Sequence, residues 1–155
     1  MKIIYHCFGG SHSSVTVAAL HLGLLSPERL PTPQELMAVP YYDKTHDDDF
    51  GSIHYMGRDD KGNEIYILGK KSLGNRFSHL LMGVAEILGQ EDQLLVINVM
   101  DRVNISMKLG GFTSRRIGIP FLGRPVVIRG TRQAFASMIN LVEEIKIRVL
   151  TLKQR

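Results

Sequence analysis

Residues 2–24, KIIYHCFGGSHSSVTVAALHLGL, read as a strand, a glycine turn and a helix. Ile3, Ile4, Tyr5 and Phe8 are β-formers in a run too short for a helix. Gly9 and Gly10 permit positive φ and, lacking side chains, leave backbone N–H groups uncovered. Ser11, Ser13 and Ser14 are residues that suit a helix start. Val15, Ala18, Ala19 and Leu22 then recur at three- and four-residue steps, as on the buried face of a helix. Such a junction aims free amides and the positive end of a helix dipole at one point, where an anion can sit.

Working outward, Thr32-Pro33-Gln34-Glu35 has the chemistry of a helix start, with an N-cap, a proline in the first turn and an acid. The short helix it opens runs to about Val39 and stops at Pro40. DKTHDDDF (43–50) reads as an acidic loop. Residues 52–69 read as a β-hairpin turning at Asp59-Asp60-Lys61-Gly62-Asn63. Residues 75–89 carry the stripe Phe77, Leu80, Leu81, Val84 and Leu88 and end at Gly89. LLVINV (94–99) is a continuous apolar run, as in a strand covered on both faces. A helix is expected over 102–109, stopped by Gly110-Gly111. PVVI (125–128) reads as a further strand, after which Gly130-Thr131 opens a helix with Phe135, Met138, Ile139, Val142, Ile145 and Val149 on one face.

Strands alternating with amphipathic helices predict a single α/β domain over 1–155. The expected build is a three-layer Rossmann-like or P-loop-like sandwich with a mostly parallel sheet and one β-hairpin. Ligands in such sheets bind beyond the C-terminal strand ends. Three segments should meet there: GGSHSS, Asp101 to Asn104, and Gly130-Thr131-Arg132.

Composition narrows the class. Hydrophobic residues make up 44% and charged residues 22%, as in ordinary soluble domains. No apolar run approaches the roughly 20 residues that span a bilayer. After Lys2 come only six mostly apolar residues, too few for a signal peptide core, and a lone cysteine fits a reducing compartment. The expected location is cytoplasmic. The net charge of +4 is unevenly spread. Residues 1–100 hold 8 Lys/Arg against 12 Asp/Glu, whereas 101–155 hold 11 against 3. A basic C-terminal third suits a phosphate-bearing ligand. Nucleic acid is disfavoured, because no dense Lys/Arg block or aromatic-rich basic strand is present.

The loop chemistry has two relatives. A Walker loop needs GxxxxGK[ST], and no lysine lies in or beside GGSHSS. A cysteine-phosphatase loop runs from a strand-end Cys through five residues to Arg. Cys7 stands at the strand end, but Ser13 occupies the arginine position, so the bidentate clamp on phosphate is missing. The candidate catalytic residues are His12, Cys7 and Asp101. His12 is placed to donate to an anion or shuttle a proton. Cys7 as a small buried hydrophobe, and the glycine turn as a plain connector, are the competing readings. The ligand-binding candidates are Gly9, Gly10, Ser11, Ser13 and Ser14, with Asn104. Arg115 and Arg116 of GGFTSRRIGIPFLGRP join them, since arginine pairs well with phosphate or carboxylate. Asp43 and His46 are weak metal candidates in the acidic loop, with Asp43 the member expected to point inward; a solvated loop is the competing reading.

IIYHCFGGSHSSVTVAALHLG, DDKGNEIYILG, GGFTSRRIG and GRPVVIRGT together resemble the bacterial family called domain of unknown function 3189. The likeness runs over nearly the whole chain. It implies a small cytoplasmic protein without an established activity and supplies no catalytic residue or cofactor. It favours residues 6–14 and 110–116 as the distinguishing features. The residues themselves point to an anionic small ligand at GGSHSS, with phosphoryl or acyl transfer as the chemistry. Two alternatives stand beside that. One is an interaction or regulatory module on a degenerate nucleotide-binding scaffold, with the C-terminal helix serving a homodimer. The other is a metal-dependent hydrolase using His12, Asp43 and His46.

Overall fold

The computed structural model describes residues 1–74, 76–102 and 120–154. Strand β1 (Lys2–Cys7) is central to a four-stranded sheet that also holds β2 (Ile53–Arg58), β3 (Glu64–Gly69) and β4 (Leu94–Asn98). The order is β2-β3-β1-β4. β3 and β4 both run parallel to β1, and β2 is antiparallel to β3. The β2–β3 hairpin turns where expected. Asp59 Oδ1 accepts from the amides of Lys61 and Asn63, and Gly62 adopts φ +76°. That is the local bonding for which Asp, Gly and Asn are suited in turns.

Among the described residues there are four helices: α1 (Ser13–His21), α2 (Pro33–Ala38), α3 (Arg76–Ile87) and α4 (Pro120–Lys153), with α1 and α3 against the sheet and α4 against α1. Side chains alternate across β1 and feed two cores. Ile3 and Tyr5 join Ile65, Ile67 and the inner faces of α1 and α4. Ile4 joins Leu68 and Phe77 of α3. Both faces of the sheet are therefore covered, which explains the unbroken apolar runs. α2 opens with a complete capping box. Thr32 Oγ1 accepts from the Glu35 amide, and Glu35 accepts from the Thr32 amide.

Several expectations are corrected. PVVI (125–128) is not a strand but part of α4, and among the described residues the sheet has four strands. The physical reason is periodicity. Val127, Thr131, Ala134, Phe135, Met138, Leu141, Val142, Ile145 and Val149 are all buried, so one helical stripe begins at Val127. Pro125, near the start of α4, costs one helix hydrogen bond without ending the helix. α1 is buried on every side rather than along one stripe, because the sheet and α4 enclose it. In α3, Phe77 and Ala85 are buried and Leu81 partly so, whereas Leu80, Val84 and Leu88 are exposed. The expected helix at 102–109 lies outside the described residues.

From β1 the chain moves to β3 on one side, then crosses through α3 to β4 on the other. The direction of strand addition therefore reverses between β1 and β4, and their C-terminal ends flank the crevice where open α/β sheets place ligands.

Candidate functional site

The turn after β1 is fixed by a close approach of two backbones. Gly10 has φ +64°, and a Cβ there would lie 2.6 Å from the Gly69 nitrogen. A Cβ on Gly69 would in turn meet the Gly9 carbonyl carbon and oxygen at 2.9 Å. The Lys70 and Lys71 amides donate to the Cys7 and Phe8 carbonyls. The glycines thus serve β3 docking as well as the turn.

Nor are the loop amides simply uncovered. Gly10 N–H donates to Cys7 Sγ at 3.1 Å, and Ser14 Oγ lies 3.2 Å from the same sulfur. His12, not a serine, is the N-cap of α1, with no side-chain cap bond. Ser13 and Ser14 face the sulfur instead. Burial pushes the Cys7 thiol up, but the Ser14 and Ser13 hydroxyls and the Ser14 and Gly10 amides outweigh it and hold the thiol below its ordinary value. A cysteine at a helix N-terminus among N–H and O–H donors has the environment that favours thiolate. Cys7 is only 3% exposed.

His12 Nε2 lies 3.1 Å from Asp43 Oδ1. A carboxylate accepts only, so Nε2 carries the proton and Nδ1 holds the free lone pair of the neutral ring. Arg124 Nε donates to Asp43 Oδ2 at 2.6 Å. Burial pushes the Asp43 carboxyl up, but the His12 and Arg124 bonds outweigh it and hold it below the usual range. The Asp43 amide donates to the Ser11 carbonyl, and Asp43 itself adopts φ +55°. Positive φ in a non-glycine residue costs energy that tertiary contacts must hold in place. Tyr42 supplies them. Its ring packs edge-on against His12, with centres 5.3 Å apart, and its hydroxyl meets Thr131 Oγ1 at 2.9 Å.

The predicted site residues therefore divide. Cys7, Gly9, Gly10, Ser11, His12, Ser13 and Ser14 share one turn, and Asp43 joins them as the partner of His12. Asp101 lies in the short turn Val99–Arg102 after β4, at the switch point, but its side chain is outside the description. Asn104, Arg115 and Arg116 lie outside the described residues. His46 is exposed, with its amide donating to Asp49. Among the described residues no group of three or more His, Cys, Asp or Glu is placed to hold a metal ion. Thr131 sits within α4 bonded to Tyr42, not at a strand end.

Arg124 is one of the anion-binding groups that the glycine-rich segment offers, but its bond to Asp43 was not foreseen. Lys70 was missed altogether. Lys70 follows β3 and is buried, with Nζ donating to Asn98 Oδ1 at 3.1 Å. It brings an ammonium to the strand ends beside a loop that has no lysine of its own. The signal available for it was its place directly after the hairpin's last glycine.

This arrangement is built from residues spread between Lys2 and Val149, and one family model spans nearly all of them. The chain belongs to the DUF3189 family. The match covers residues 2–147, and the family is described as "Protein of unknown function (DUF3189)". The chain matches no curated protein and no solved structure. In this DUF3189 chain the Cys7 turn, the His12–Asp43 pair and Arg124 all fall inside the matched region. No helix among the described residues is long and apolar enough to cross a membrane.

Proposed function

We propose that this DUF3189 chain binds a phosphate-bearing or other anionic small ligand at the GGSHSS turn and transfers a phosphoryl or acyl group through Cys7. The reading takes the sheet as a Rossmann-like or P-loop-like scaffold in the cytoplasm. The observation that carries it is the convergence of the Gly10 amide and the Ser14 hydroxyl on the Cys7 sulfur, next to a carboxylate-held histidine. Donors that stabilise a thiolate also stabilise the negative charge of a transferring group. The Cys7 sulfur bonds to the phosphorus or acyl carbon as the bond to the leaving group breaks. The thiol proton passes to the free Nδ1 of neutral His12 and from there to the leaving oxygen, while Asp43 holds the transient imidazolium. Water or an acceptor hydroxyl then attacks the Cys7 adduct, and its proton returns through His12 to the departing sulfur. On this reading Arg115 or Arg116 would complete the charge on the ligand, and Asp101 and Asn104 would orient it. At the mouth of the turn Phe8 is exposed and Gly9 partly so.

Acetyl phosphate tests this, since it offers both groups. Mass mapping is expected to find a phosphoryl or acetyl increment on Cys7 and none in Cys7→Ser. Unmodified Cys7, together with a thiol that alkylates only above its ordinary pKa, overturns the reading.

The exposed apolar residues of α3, Leu80, Val84, Ile87 and Leu88, favour a second reading as an interaction module. Its contact surface would be α3 or the C-terminal helix, which exposes Ile147, Leu150 and Leu152. Light scattering of wild type and Val84→Lys separates the two: a wild-type monomer at high concentration counts against it.

A further inference from the structure

β1 sends His6 to the face opposite Cys7, and that face carries a second set of reactive groups. His6 is fully buried, and its Nε2 lies 2.8 Å from Ser78 Oγ in the first turn of α3. Phe77 holds the imidazole edge-on, with ring centres 5.8 Å apart. Asn98 pairs with His6 in register across β1 and β4, and it accepts from Lys70. Burial and the Lys70 charge push His6 down to about 4, so the ring is neutral near pH 7. Its Nδ1 is buried with no hydrogen-bond partner among the described residues. A residue present for packing alone gains nothing from such an orphan, because a buried polar atom without a partner destabilises the fold. Ser78 itself is half-buried, whereas the histidine behind it is fully buried.

We propose that Ser78 is a second nucleophile, an acyl acceptor for which His6 is the general base. A nucleophile and a neutral base within hydrogen-bond reach form the core of such a device. Here β1 and the Phe77 ring orient the imidazole in place of a carboxylate. As Ser78 Oγ bonds to the acyl carbon, its proton passes to His6 Nε2. The leaving group departs with that proton as its own bond to carbon breaks. Water then attacks the acyl-serine, His6 takes its proton, and the Ser78 oxygen recovers a proton on release of the acid. The first turn of α3 leaves amide donors unpaired within the helix and favours developing negative charge. Phe77 and Leu81, which pack together at the α3 face, make the surround apolar, as suits an acyl group.

The probe is p-nitrophenyl acetate, read by peptide mass mapping and nitrophenolate release. Wild type is expected to carry acetyl on Ser78, and Ser78→Ala to lose that increment and the matching nitrophenolate burst. His6→Gln is expected to slow acetylation about 100-fold while keeping a native circular dichroism spectrum. Absence of acetyl-Ser78 in wild type, or wild-type rates in folded His6→Gln, overturns the proposal. Ser78→Ala changes a half-exposed helix position, so an unchanged burst in that variant is decisive even where His6→Gln fails to fold. Cys7 and Ser78 lie on separable peptides, so this assignment and the Cys7 reading fail separately.

Discussion

Helix α1 has a His–Asp pair at each end. His12 Nε2 lies 3.1 Å from Asp43 Oδ1, and His21 Nε2 lies 3.1 Å from Asp59 Oδ2. Distance does not tell them apart; their surroundings do. Around Asp59 the polar groups are saturated. It accepts from the Lys61 and Asn63 amides and from Asn63 Nδ2, while Tyr5 O–H and His21 Nδ1 are 2.7 Å apart. Burial pushes the Tyr5 hydroxyl up, so it stays protonated and donates to Nδ1; Nε2–H of His21 then donates to Asp59. The Asp59 and His21 side chains are 3% and 1% exposed. Around Asp43 the pair reaches solvent, the backbone is strained, and His12 Nδ1 has no hydrogen bond among the described residues. One pair locks the hairpin turn to the core. The other leaves His12 Nδ1 without a hydrogen bond among the described residues.

The sharpest way to break that contrast is Asp59→Ala. It removes an acceptor of four hydrogen bonds and leaves the buried Nε2–H of His21 without its acceptor, with an expected loss of about 3–5 kcal/mol by urea unfolding. The rate of Cys7 alkylation in the folded fraction should stay near wild type. A mild loss would mean the two ends are not built differently.

The acid limb of stability follows from the same logic. Burial lowers His21, with Asp59 opposing, and burial and Lys70 lower His6 to about 4. The unfolded chain therefore binds protons that the native chain refuses as pH falls below about 6.5. Tm should drop between pH 6.5 and pH 4, and a flat Tm over that window would contradict the burial of these rings.

Gly10→Ala is expected to cost about 2–3 kcal/mol, since it adds a Cβ against Gly69 at positive φ. Asp43→Asn tests the open pair. Asparagine tolerates positive φ, so stability should fall by only about 1 kcal/mol, while the rate of Cys7 modification by acetyl phosphate falls about 100-fold. Equal losses in stability for Asp43→Asn and Asp59→Ala would erase the distinction. The smallest effect is expected for Arg124→Gln, within about 1 kcal/mol, because that arginine is half-exposed.

Much of the fold was legible because its signals are short-ranged. The β1 run, the turn and α1, the Thr32–Glu35 box and the Asp59–Asn63 turn each depend on neighbours a few residues apart. PVVI was misread because four β-branched or apolar residues suit a strand as well as a helix. The stripe that decides the matter continues through Phe135 and Met138. In the site, Cys7 and His12 stood out by position, whereas the pairing of Arg124 with Asp43 and the place of Lys70 did not. Their importance rests on partners far along the chain, Asp43 at a separation of 81 residues and Asn98 at 28.

By itself the sequence determined that a strand enters a glycine turn and a helix, that sheet and helices alternate, and that Cys7 and His12 share one loop. Those follow from propensity and side-chain chemistry over a few residues. Only the tertiary structure decided that the loop's donors turn toward the chain's own sulfur, that Gly10 and Gly69 must touch, and which histidine is sealed and which left open. Those outcomes depend on strand register and burial, which arise when distant segments close on one another.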